Sequence, residues 1–303
     1  MKVLSLVAAA TLLAACEVNL NTEGLSAREV KTFKVAGQPE VVLDTWDGAI
    51  EVHSWDRNEI EVEVEKRAME QTLLDEIKID AQQEGDKITV KVTGPRSERH
   101  GVTIGVNISP TARLRVAVPR NANINAMSGD GSIRAEAIEG RIVLRTSHGS
   151  VTGTRLGGDI QIRSGDGSIR IDNATGKLDL ETEDGSAGVE ARPSVLHLRT
   201  GDGSVRVALE PDTVMTENWD ITTSDGTITV TLPGLFNAEL DAETSDGAVR
   251  TAHPLLDDDR GESRDGEGRD ERRERRRTLR SKMGDGGKIL RIRSGDGTIR
   301  IDR

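Results

Sequence analysis

The chain has 303 residues, a formal net charge of −11 at pH 7 and an aromatic content of 2%, with two Phe, three Trp and no Tyr. Because globular cores usually draw much of their buried area from aromatic rings, this interior is predicted to be narrow and filled by Ile, Val, Leu, Ala and Thr. The acidic balance argues against a nucleic-acid partner, since nucleic-acid binding depends on basic surfaces that neutralise phosphates.

The N-terminus has the pattern of an export signal. Lys2 precedes a mainly apolar run at 3–15, which is too short to span a bilayer as a helix. The run ends in Leu13-Ala14-Ala15-Cys16, which resembles the lipobox of bacterial lipoproteins and implies cleavage before Cys16 and acylation of that residue. Residues 1–15 are therefore predicted to be a lipoprotein signal peptide. A generic signal peptide with an incidental cysteine is the alternative.

Lipid on Cys16 would tether the protein to a membrane of the cell envelope, on the periplasmic side or at the cell surface. Cys16 is also the one cysteine of the sequence, so no intramolecular disulfide is possible. Residues 16–31 are polar and are predicted to be a flexible tether.

Residues 32–122 are predicted to form a β-rich N-terminal region. Its segment 41–52 contains Asp47-Gly48 and matches a repeat that recurs downstream, so a first copy lies here. Further runs alternate apolar and polar residues, which predicts strands, at 60–64, 77–81, 88–92, 102–108 and 114–118. One helical turn is predicted near 70–74.

Residues 123–303 are organised by this repeat, best seen at 160–172, Ile-Gln-Ile-Arg-Ser-Gly-Asp-Gly-Ser-Ile-Arg-Ile-Asp. The first five turn positions, at 130, 148, 166, 184 and 202, are 18 residues apart. His148-Gly149 replaces the Asp-Gly pair at one of them. The Asp column comprises Asp130, Asp166, Asp184, Asp202, Asp225, Asp246 and Asp296. A fixed period identifies a repeat architecture.

Residues around each Asp-Gly pair alternate with a period of two, which predicts strands with one buried face and one exposed face. The position two before the Asp is always Ser or Thr, and it shares the parity of the apolar positions. This hydroxyl column is predicted to point inward and to find hydrogen-bond partners in neighbouring copies, because buried hydroxyls need partners. Its members are Ser128, Thr146, Ser164, Thr182, Thr200, Thr223, Thr244 and Ser294.

Each copy therefore predicts a strand, an Asp-Gly turn, a second strand and a loop, and only stacking of copies can bury the apolar face. The predicted fold is all-β, a parallel β-solenoid of about 18-residue rungs that follows the β-rich N-terminal region. An antiparallel meander with two-residue Asp-Gly hairpin turns is the alternative.

A charged insertion at about 255–287 interrupts the copies. It is acidic at 257–259 and rich in Arg at 272–277, a composition that cannot bury enough apolar surface to offset the entropy of ordering. A disordered or partly helical loop is predicted. The last copy, at 289–302, is then expected to stack on the copy centred at Asp246 and to close the stack at the C-terminus.

Two phrases carry a resemblance to a known family. Val42-Leu43-Asp44-Thr45-Trp46-Asp47-Gly48, followed by Val116-Ala117-Val118-Pro119 before Gly129-Asp130-Gly131-Ser132-Ile133, resembles the bacterial putative-adhesin β-repeat family, a domain of unknown function. The resemblance covers about residues 32–303 and implies a β-repeat fold. It carries no catalytic residues over to this chain.

The Asp column is the first candidate site. Carboxylates stacked about 4.8 Å apart would repel and raise each other's pKa. The predicted remedy is an Asx-type turn, in which each Asp accepts a backbone N–H, the following Gly has positive φ, and nearby Arg residues supply countercharge. A calcium ladder is the alternative, since Ca²⁺ takes carboxylate oxygens, but His148 interrupts the column. No metal or cofactor is predicted.

The arginines are the second candidate site, because guanidinium groups bind carboxylate and phosphate groups bidentately. An envelope glycan, an anionic lipid or another protein is the possible partner. A solvated face balanced by the Asp column is the alternative. The candidate anion-binding residues are Arg163, Arg170, Arg199 and Arg206 in the repeats and Arg272, Arg273, Arg275, Arg276 and Arg277 in the insertion.

No nucleophile elbow, phosphate loop or metal-spaced pair is present, so no enzymatic activity is predicted. The predicted function is a lipid-anchored, adhesin-like envelope protein that acts by binding or as a structural element. One alternative is a carbohydrate-active β-helix enzyme, which an open groove with two facing carboxylates near His148 or His197 would favour. Another is an envelope-stress sensor that acts through a partner.

The lipobox resemblance gives the first testable prediction. Cys16→Ser removes the sulfur that lipid would modify, so the protein should leave the membrane fraction and incorporate no radiolabelled fatty acid. Membrane fractionation that is unchanged in the variant would contradict the predicted anchor.

Overall fold

The computed structural model describes residues 17–21, 24–95, 109–253 and 277–303. The predicted signal peptide, Cys16, the predicted strand at 102–108 and the predicted insertion up to residue 276 lie outside these residues. The candidate anion-binding residues Arg272, Arg273, Arg275 and Arg276 lie outside them as well. Within them the fold is all-β, with 23 strands in one sheet and a single short helix. None of the described segments forms a helix long and apolar enough to cross a membrane.

The N-terminal strands agree with the alternating runs of the sequence. The runs at 60–64, 77–81, 88–92 and 114–118 are confirmed as β5, β6, β7 and β8, and the helical turn as α1. The elements are β1 Glu17–Asn21, β2 Gly24–Lys34, β3 Glu40–Thr45, β4 Ile50–Trp55, β5 Glu59–Ala68, α1 Gln71–Glu76, β6 Lys78–Glu84, β7 Lys87–Thr93 and β8 Thr111–Pro119.

The repeats supply the remaining strands, and most of them end or begin at a turn with the Asp-Gly pair. They are β9 Asn123–Ser128, β10 Ile133–Glu136, β11 Glu139–Thr146, β12 Val151–Thr154, β13 Gly157–Ser164, β14 Ile169–Thr182, β15 Ala187–Thr200 and β16 Val205–Leu209. They continue with β17 Trp219–Thr223, β18 Ile228–Thr231, β19 Ala238–Thr244, β20 Val249–Thr251, β21 Thr278–Met283, β22 Ile289–Ser294 and β23 Ile299–Asp302.

Strands of successive copies pair in parallel and form two columns. The before-turn column runs, in spatial order, through β7, β3, β9, β11, β13, the second halves of β14 and β15, β17, β22 and β19. The after-turn column runs through β8, β4, β10, β12, the first halves of β14 and β15, β16, β18, β23 and β20. One strand from each column makes a rung. Parallel pairing of equivalent strands contradicts the hairpin alternative.

The last copy does not close the stack. β22 pairs with β17 on one side and with β19 on the other, and β23 lies in the same way between β18 and β20. Stacking on the copy centred at Asp246 is therefore confirmed, but that copy, and not the C-terminal one, is the outermost rung. The N-terminal end has the same inversion, since β3 lies between β7 and β9.

The sheet is mixed, and not purely parallel, because antiparallel strands cover both ends of the stack. At the C-terminal end β21 pairs antiparallel with β19. At the N-terminal end β6 pairs with β7, and β8 pairs with β5, which continues to β2 and β1. These strands occupy backbone groups that the outer rungs would otherwise leave open.

Two expectations from composition are wrong for this reason. Residues 24–31, predicted to be a tether, belong to β2, which pairs with β5 along its length and buries Phe33. The predicted insertion at 255–287 contains β21, whose Leu279 and Met283 are buried. Composition misses both strands because their burial depends on partners that are distant in the sequence, β5 for β2 and β19 for β21.

The interior between the two columns is aliphatic, as predicted. Ile142, Leu144, Ile160 and Ile162 are completely buried, and each such side chain stabilises the fold by about 1.5–3 kcal/mol. The buried rings are few and include Trp219 and Phe236, whose centroids lie 6.0 Å apart. β9 pairs with both β3 and β11, so the column crosses the predicted boundary at 122/123 without a break.

The position of β21 predicts which part of the charged insertion the fold needs. Replacing 257–276 by a Gly/Ser linker of about ten residues, which can reach across a rung, should leave the melting temperature nearly unchanged. Extending the deletion through 282 removes Leu279 and uncovers β19, so the melting temperature should fall by several degrees. Equal stability of the two deletions in thermal denaturation would show that β21 contributes nothing.

Candidate functional site

The Ser/Thr column forms an inner hydroxyl ladder. Ser164 Oγ donates to the carbonyl of Gly149 in the preceding rung at 3.0 Å and accepts the N–H of Gly167 in its own turn at 3.1 Å. Thr200 Oγ1 makes the same two bonds, at 2.8 Å and 3.3 Å. The prediction that these hydroxyls point inward is confirmed. Each one therefore joins its own turn to the turn of the neighbouring rung.

The turn glycines are required by the close approach of the rungs. A Cβ added at Gly167 would lie 1.9 Å from the carbonyl oxygen of Gly149, and one at Gly185 would lie 2.2 Å from that of Gly167. Gly48, with φ of 137°, is the one turn glycine of the described Asp-Gly pairs that has positive φ. The predicted conformational role of these glycines is therefore wrong, and steric exclusion of a side chain is the physical reason.

The Asp column lies exposed along the turn edge of the stack. Its backbone N–H groups pair with the neighbouring rung, as Asp166 N does with Ser147 O at 3.0 Å. In the turns of Ser128, Thr146, Ser164 and Thr200 the inner hydroxyl, and not the Asp carboxylate, accepts the N–H of the turn glycine, so the predicted Asx-type turn is wrong there. The carboxylates are left facing solvent. The column consists of Asp130, Asp166, Asp184, Asp202, Asp225, Asp246 and Asp296.

His148 stands between two carboxylates of this column. Its Nδ1 lies 2.7 Å from Asp130 Oδ1, and its Nε2 lies 3.7 Å from Asp166 Oδ2. The hydrogen bond with Asp130, and then the negative charge of Asp130, raise the pKa of His148. Burial and the charge of Asp130 raise the pKa of Asp47. A histidine in this place therefore relieves repulsion between like charges.

The described segments hold no group of three or more His, Cys, Asp or Glu side chains placed to bind a metal ion. The geometry thus lends no support to the calcium alternative. The Asp side chains of successive turns are better described as a row of separate, solvated charges.

A groove of about 580 Å³ lies beside His148 on the turn edge. Gly165 lines it, together with Arg145, Asp166, Glu181 and Glu183. These are the carboxylates that the enzymatic alternative requires. Arg163 Nε lies 3.1 Å from Glu181 Oε2, however, and the lining includes no aromatic side chain.

A second groove, of about 770 Å³, lies at the opposite edge of the first rungs. Trp55 and Arg57 contribute to its wall, with the Arg57 guanidinium 4.8 Å from the ring centroid of Trp55. Arg120 and Glu139 pair across it at 2.9 Å. Its aromatic face and its charges are thus already engaged within the protein.

Three arginines of the before-turn column, Arg163, Arg291 and Arg293, pair with carboxylates of adjacent rungs. Arg145 and Arg199 have no carboxylate within 4.0 Å among the described residues. Arg293 lies 2.6 Å from Asp241, and this hydrogen bond holds the pKa of Asp241 below its usual value. Arg163 pairs with Glu181, and so does not supply the countercharge predicted for the Asp column. Arg277, at the start of the described C-terminal segment, lies 3.4 Å from Asp246.

The after-turn column carries a different set, here called the arginine row. Its side chains are exposed, and none lies within 4.0 Å of a carboxylate in the described parts of the chain. Arg170 and Arg206 were candidates from the sequence, whereas the row as a whole depends on rung order. The row runs Arg134, Thr152, Arg170, Gly188, Arg206, Thr229, Arg300 and Arg250, with an arginine in every second rung until the last two.

The turns alternate in the same way. Rungs that carry Arg134, Arg170, Arg206 or Arg300 have Gly directly before the turn Asp, and the rungs between them have Ser or Glu there. Glycine and non-glycine residues alternate strictly when the rungs are taken in their spatial order. They do not alternate in the order of the sequence, because the last copy of the chain lies between two earlier copies in the stack. The structural unit of this surface is therefore a pair of rungs.

This arrangement defines a class of protein, a stacked β-repeat with a buried aliphatic core and with rows of polar side chains on its outer surface. The chain belongs to the Toastrack DUF4097 family, a domain of unknown function, whose model matches residues 39–301. The family resemblance drawn from the sequence is thereby confirmed. No curated relative matches the chain at a significant level.

The chain is also similar to solved structures with which it shares little sequence identity. They include a putative cell adhesion protein from Clostridium sporogenes, with 13% identity, a TM-score of 0.29 and coverage of 91% of this chain and 98% of that one. A putative adhesin from Bacteroides fragilis has 9% identity, a TM-score of 0.42 and coverage of 90% and 96%. One from Parabacteroides merdae has 8% identity, a TM-score of 0.48 and coverage of 90% and 95%.

Two glycines give a matched test of rung packing. Gly185→Ala places a methyl group against the Gly167 carbonyl, so the free energy of unfolding should fall by about 3 kcal/mol or more. A Cβ at Gly188, three residues later, meets nothing within 4 Å, so Gly188→Ala should change stability by less than about 0.5 kcal/mol. Urea denaturation measures both, and similar values for the two variants would contradict the packing argument.

Proposed function

We propose that the protein is a lipid-anchored envelope protein that acts by binding, in the manner of an adhesin, and does not act by catalysis. The observation that supports this proposal is the arginine row, a set of exposed cations without a described carboxylate partner. Exposed charged groups without internal partners are available to a ligand. In this view the stacked rungs form a β-solenoid, and the rows of polar side chains on its surface bind the ligand.

The rigid stacking of the rungs favours a binding role for the side chains on their outer surface. Inner hydroxyls and turn glycines are used entirely to join one rung to the next, as Ser164 is between Gly149 and Gly167. A sheet that is fixed at each rung presents its outer side chains at set spacings. Such preorganisation lowers the entropic cost of binding an extended partner.

The proposed anchor places the membrane at the N-terminal end of the stack. Cys16 directly precedes β1, which pairs with β2, and β2 pairs with β5 beyond the first rungs. A lipid on Cys16 would hold this end at the membrane surface and leave the rungs with the arginine row free to meet other envelope components.

The groove beside His148 favours a second candidate, a carbohydrate-cleaving enzyme. Its carboxylates are Asp166, Glu181 and Glu183. Most glycoside hydrolases use a pair of carboxylic acid side chains as their catalytic groups. The ion pair of Glu181 with Arg163 and the lack of an aromatic lining speak against this use. Hydrolysis of an envelope glycan that is abolished by Glu181→Gln would establish the enzyme instead.

The binding role is tested with the Cys16→Ser chain, which removes lipid as a cause of membrane association. We expect this chain to sediment with cell-wall fragments from which lipid has been extracted, and to be released by high salt, because screening weakens exposed charge contacts. Envelope glycans should keep their length during incubation. A chain that stays in the supernatant at low salt, or one that shortens the glycans, would contradict the proposal.

A further inference from the structure

The spacing of the arginine row is set by the sheet. Paired strands lie about 4.8 Å apart, so arginines in every second rung stand about 9.6 Å apart along the stack. Strand register places Arg134, Arg170, Arg206 and Arg300 in line at this interval. Four equally spaced cations of this kind match a ligand with a regular repeat better than a compact one.

The residues between the arginines are small, and packing does not require this. A Cβ at Gly188 would have open space around it, unlike one at the turn glycines. Thr152 and Thr229 fill the corresponding places in the neighbouring pairs of rungs. The row therefore has a notch on each side of Arg170 and Arg206, and a ligand group can reach each guanidinium edge, which suits bidentate contact.

A second row runs beside the arginines and consists of hydroxyl groups, one in each rung from Arg134 to Arg300; the outermost rung has Ala248 at this position. It is exposed at every rung except the one with Thr298, which is half exposed. Hydroxyls both donate and accept hydrogen bonds, so they suit the hydroxyl groups of a sugar. The outer hydroxyl row comprises Ser132, Ser150, Ser168, Ser186, Ser204, Thr227 and Thr298.

Acidic rows limit the width of the partner. The exposed Asp column lies on one side of these rows, and Asp172, Glu190 and Asp302 lie on the other, where Glu136 is paired with Arg155. A flat anionic bilayer would meet both acidic rows and be repelled, as the net charge of −11 also predicts. A single extended chain can lie along the arginine row alone. The neighbouring charges therefore favour a polymer chain over a membrane.

We infer, on the basis of the binding role proposed above, that the arginine row and the outer hydroxyl row bind a linear acidic polysaccharide with one anionic group in every two sugar residues. Each carboxylate or sulfate group sits on one arginine, and the intervening sugar lies over a notch and its hydroxyls. Several weak contacts of this kind add up through effective concentration.

Binding is measured with the Cys16→Ser chain by calorimetry at low salt. The probes are hyaluronan, which has one carboxylate per disaccharide, polygalacturonate, which has one per sugar, and neutral dextran. Vesicles with phosphatidylglycerol test the membrane as a partner. We expect hyaluronan to bind more tightly than polygalacturonate, and dextran and vesicles to bind weakly or not at all.

The double variant Arg170→Gln/Arg206→Gln should lose about tenfold or more in hyaluronan affinity. Arg163→Gln/Arg291→Gln removes the same charge from two before-turn arginines that already pair with Glu181 and Asp220. This double variant is the matched control and is expected to change affinity little. Equal losses in the two double variants would show that net charge, and not the arginine row, governs binding. Circular dichroism and melting curves check that all variants fold.

The spacing is tested by filling the notches. Thr152→Arg/Gly188→Arg puts an arginine in every rung from Arg134 to Arg206, so the preference should shift from hyaluronan toward polygalacturonate. A similar rise in affinity for both polymers would overturn the spacing argument.

If the unmodified arginine row binds no acidic polysaccharide while envelope sedimentation persists, this inference fails and the broader binding role remains. Tighter binding to vesicles than to hyaluronan would assign the surface to the membrane.

Discussion

The whole architecture depends on how closely the turns of adjacent rungs approach. The carbonyl of each turn glycine accepts a hydrogen bond from the hydroxyl of the next rung, such as Thr200 Oγ1 on Gly185 O at 2.8 Å. A side chain at the glycine of that next rung would collide with the same carbonyl. The hydroxyl can reach this carbonyl only if the two turns are close together, and the absence of a side chain on glycine allows that distance. These two requirements explain why Ser or Thr and Gly recur at fixed separation in every Asp-Gly copy.

The same contacts account for the pairing of rungs. Ser147 N and His148 N both donate to the carbonyl of Gly129, whereas in the next rung Gly165 N and Asp166 N donate to successive carbonyls, those of Thr146 and Ser147. Turn backbones thus alternate between two hydrogen-bond patterns. A glycine stands before the Asp in every second turn, where a Cβ would again meet a neighbouring carbonyl, as at Gly165. The turn backbone and the arginine row therefore share a period of two rungs.

The inner hydroxyls are used in contacts between rungs, so the side chains of the outer rows are the groups available to contact a ligand. On the before-turn face, charges of opposite sign are neighbours across rungs, and pairs such as Arg293 with Asp241 satisfy each other. On the after-turn face, small residues separate the arginines, which then lack such partners. Exposed ion pairs add little stability, so the difference between the faces matters mainly for recognition. The proposed glycan interface lies where the protein has not neutralised its own charge.

The sequence by itself determined what repeats at a fixed offset: the two strands of each copy, the aliphatic core, and the inward Ser/Thr column. It also identified Arg170 and Arg206 as outward residues, because alternation assigns the face of a strand. It could not give the order of the rungs, since β22 pairs with β17 and β19, and local periodicity carries no information about which distant copy a strand joins. The tertiary structure alone decided that β2 and β21 are strands, that Ser164 rather than Asp166 completes its turn, and that the arginines fall in every second rung. The strands and the arginine row depend on pairing between segments far apart in the chain, and Ser164 is held over its turn by the Gly149 carbonyl of the preceding rung.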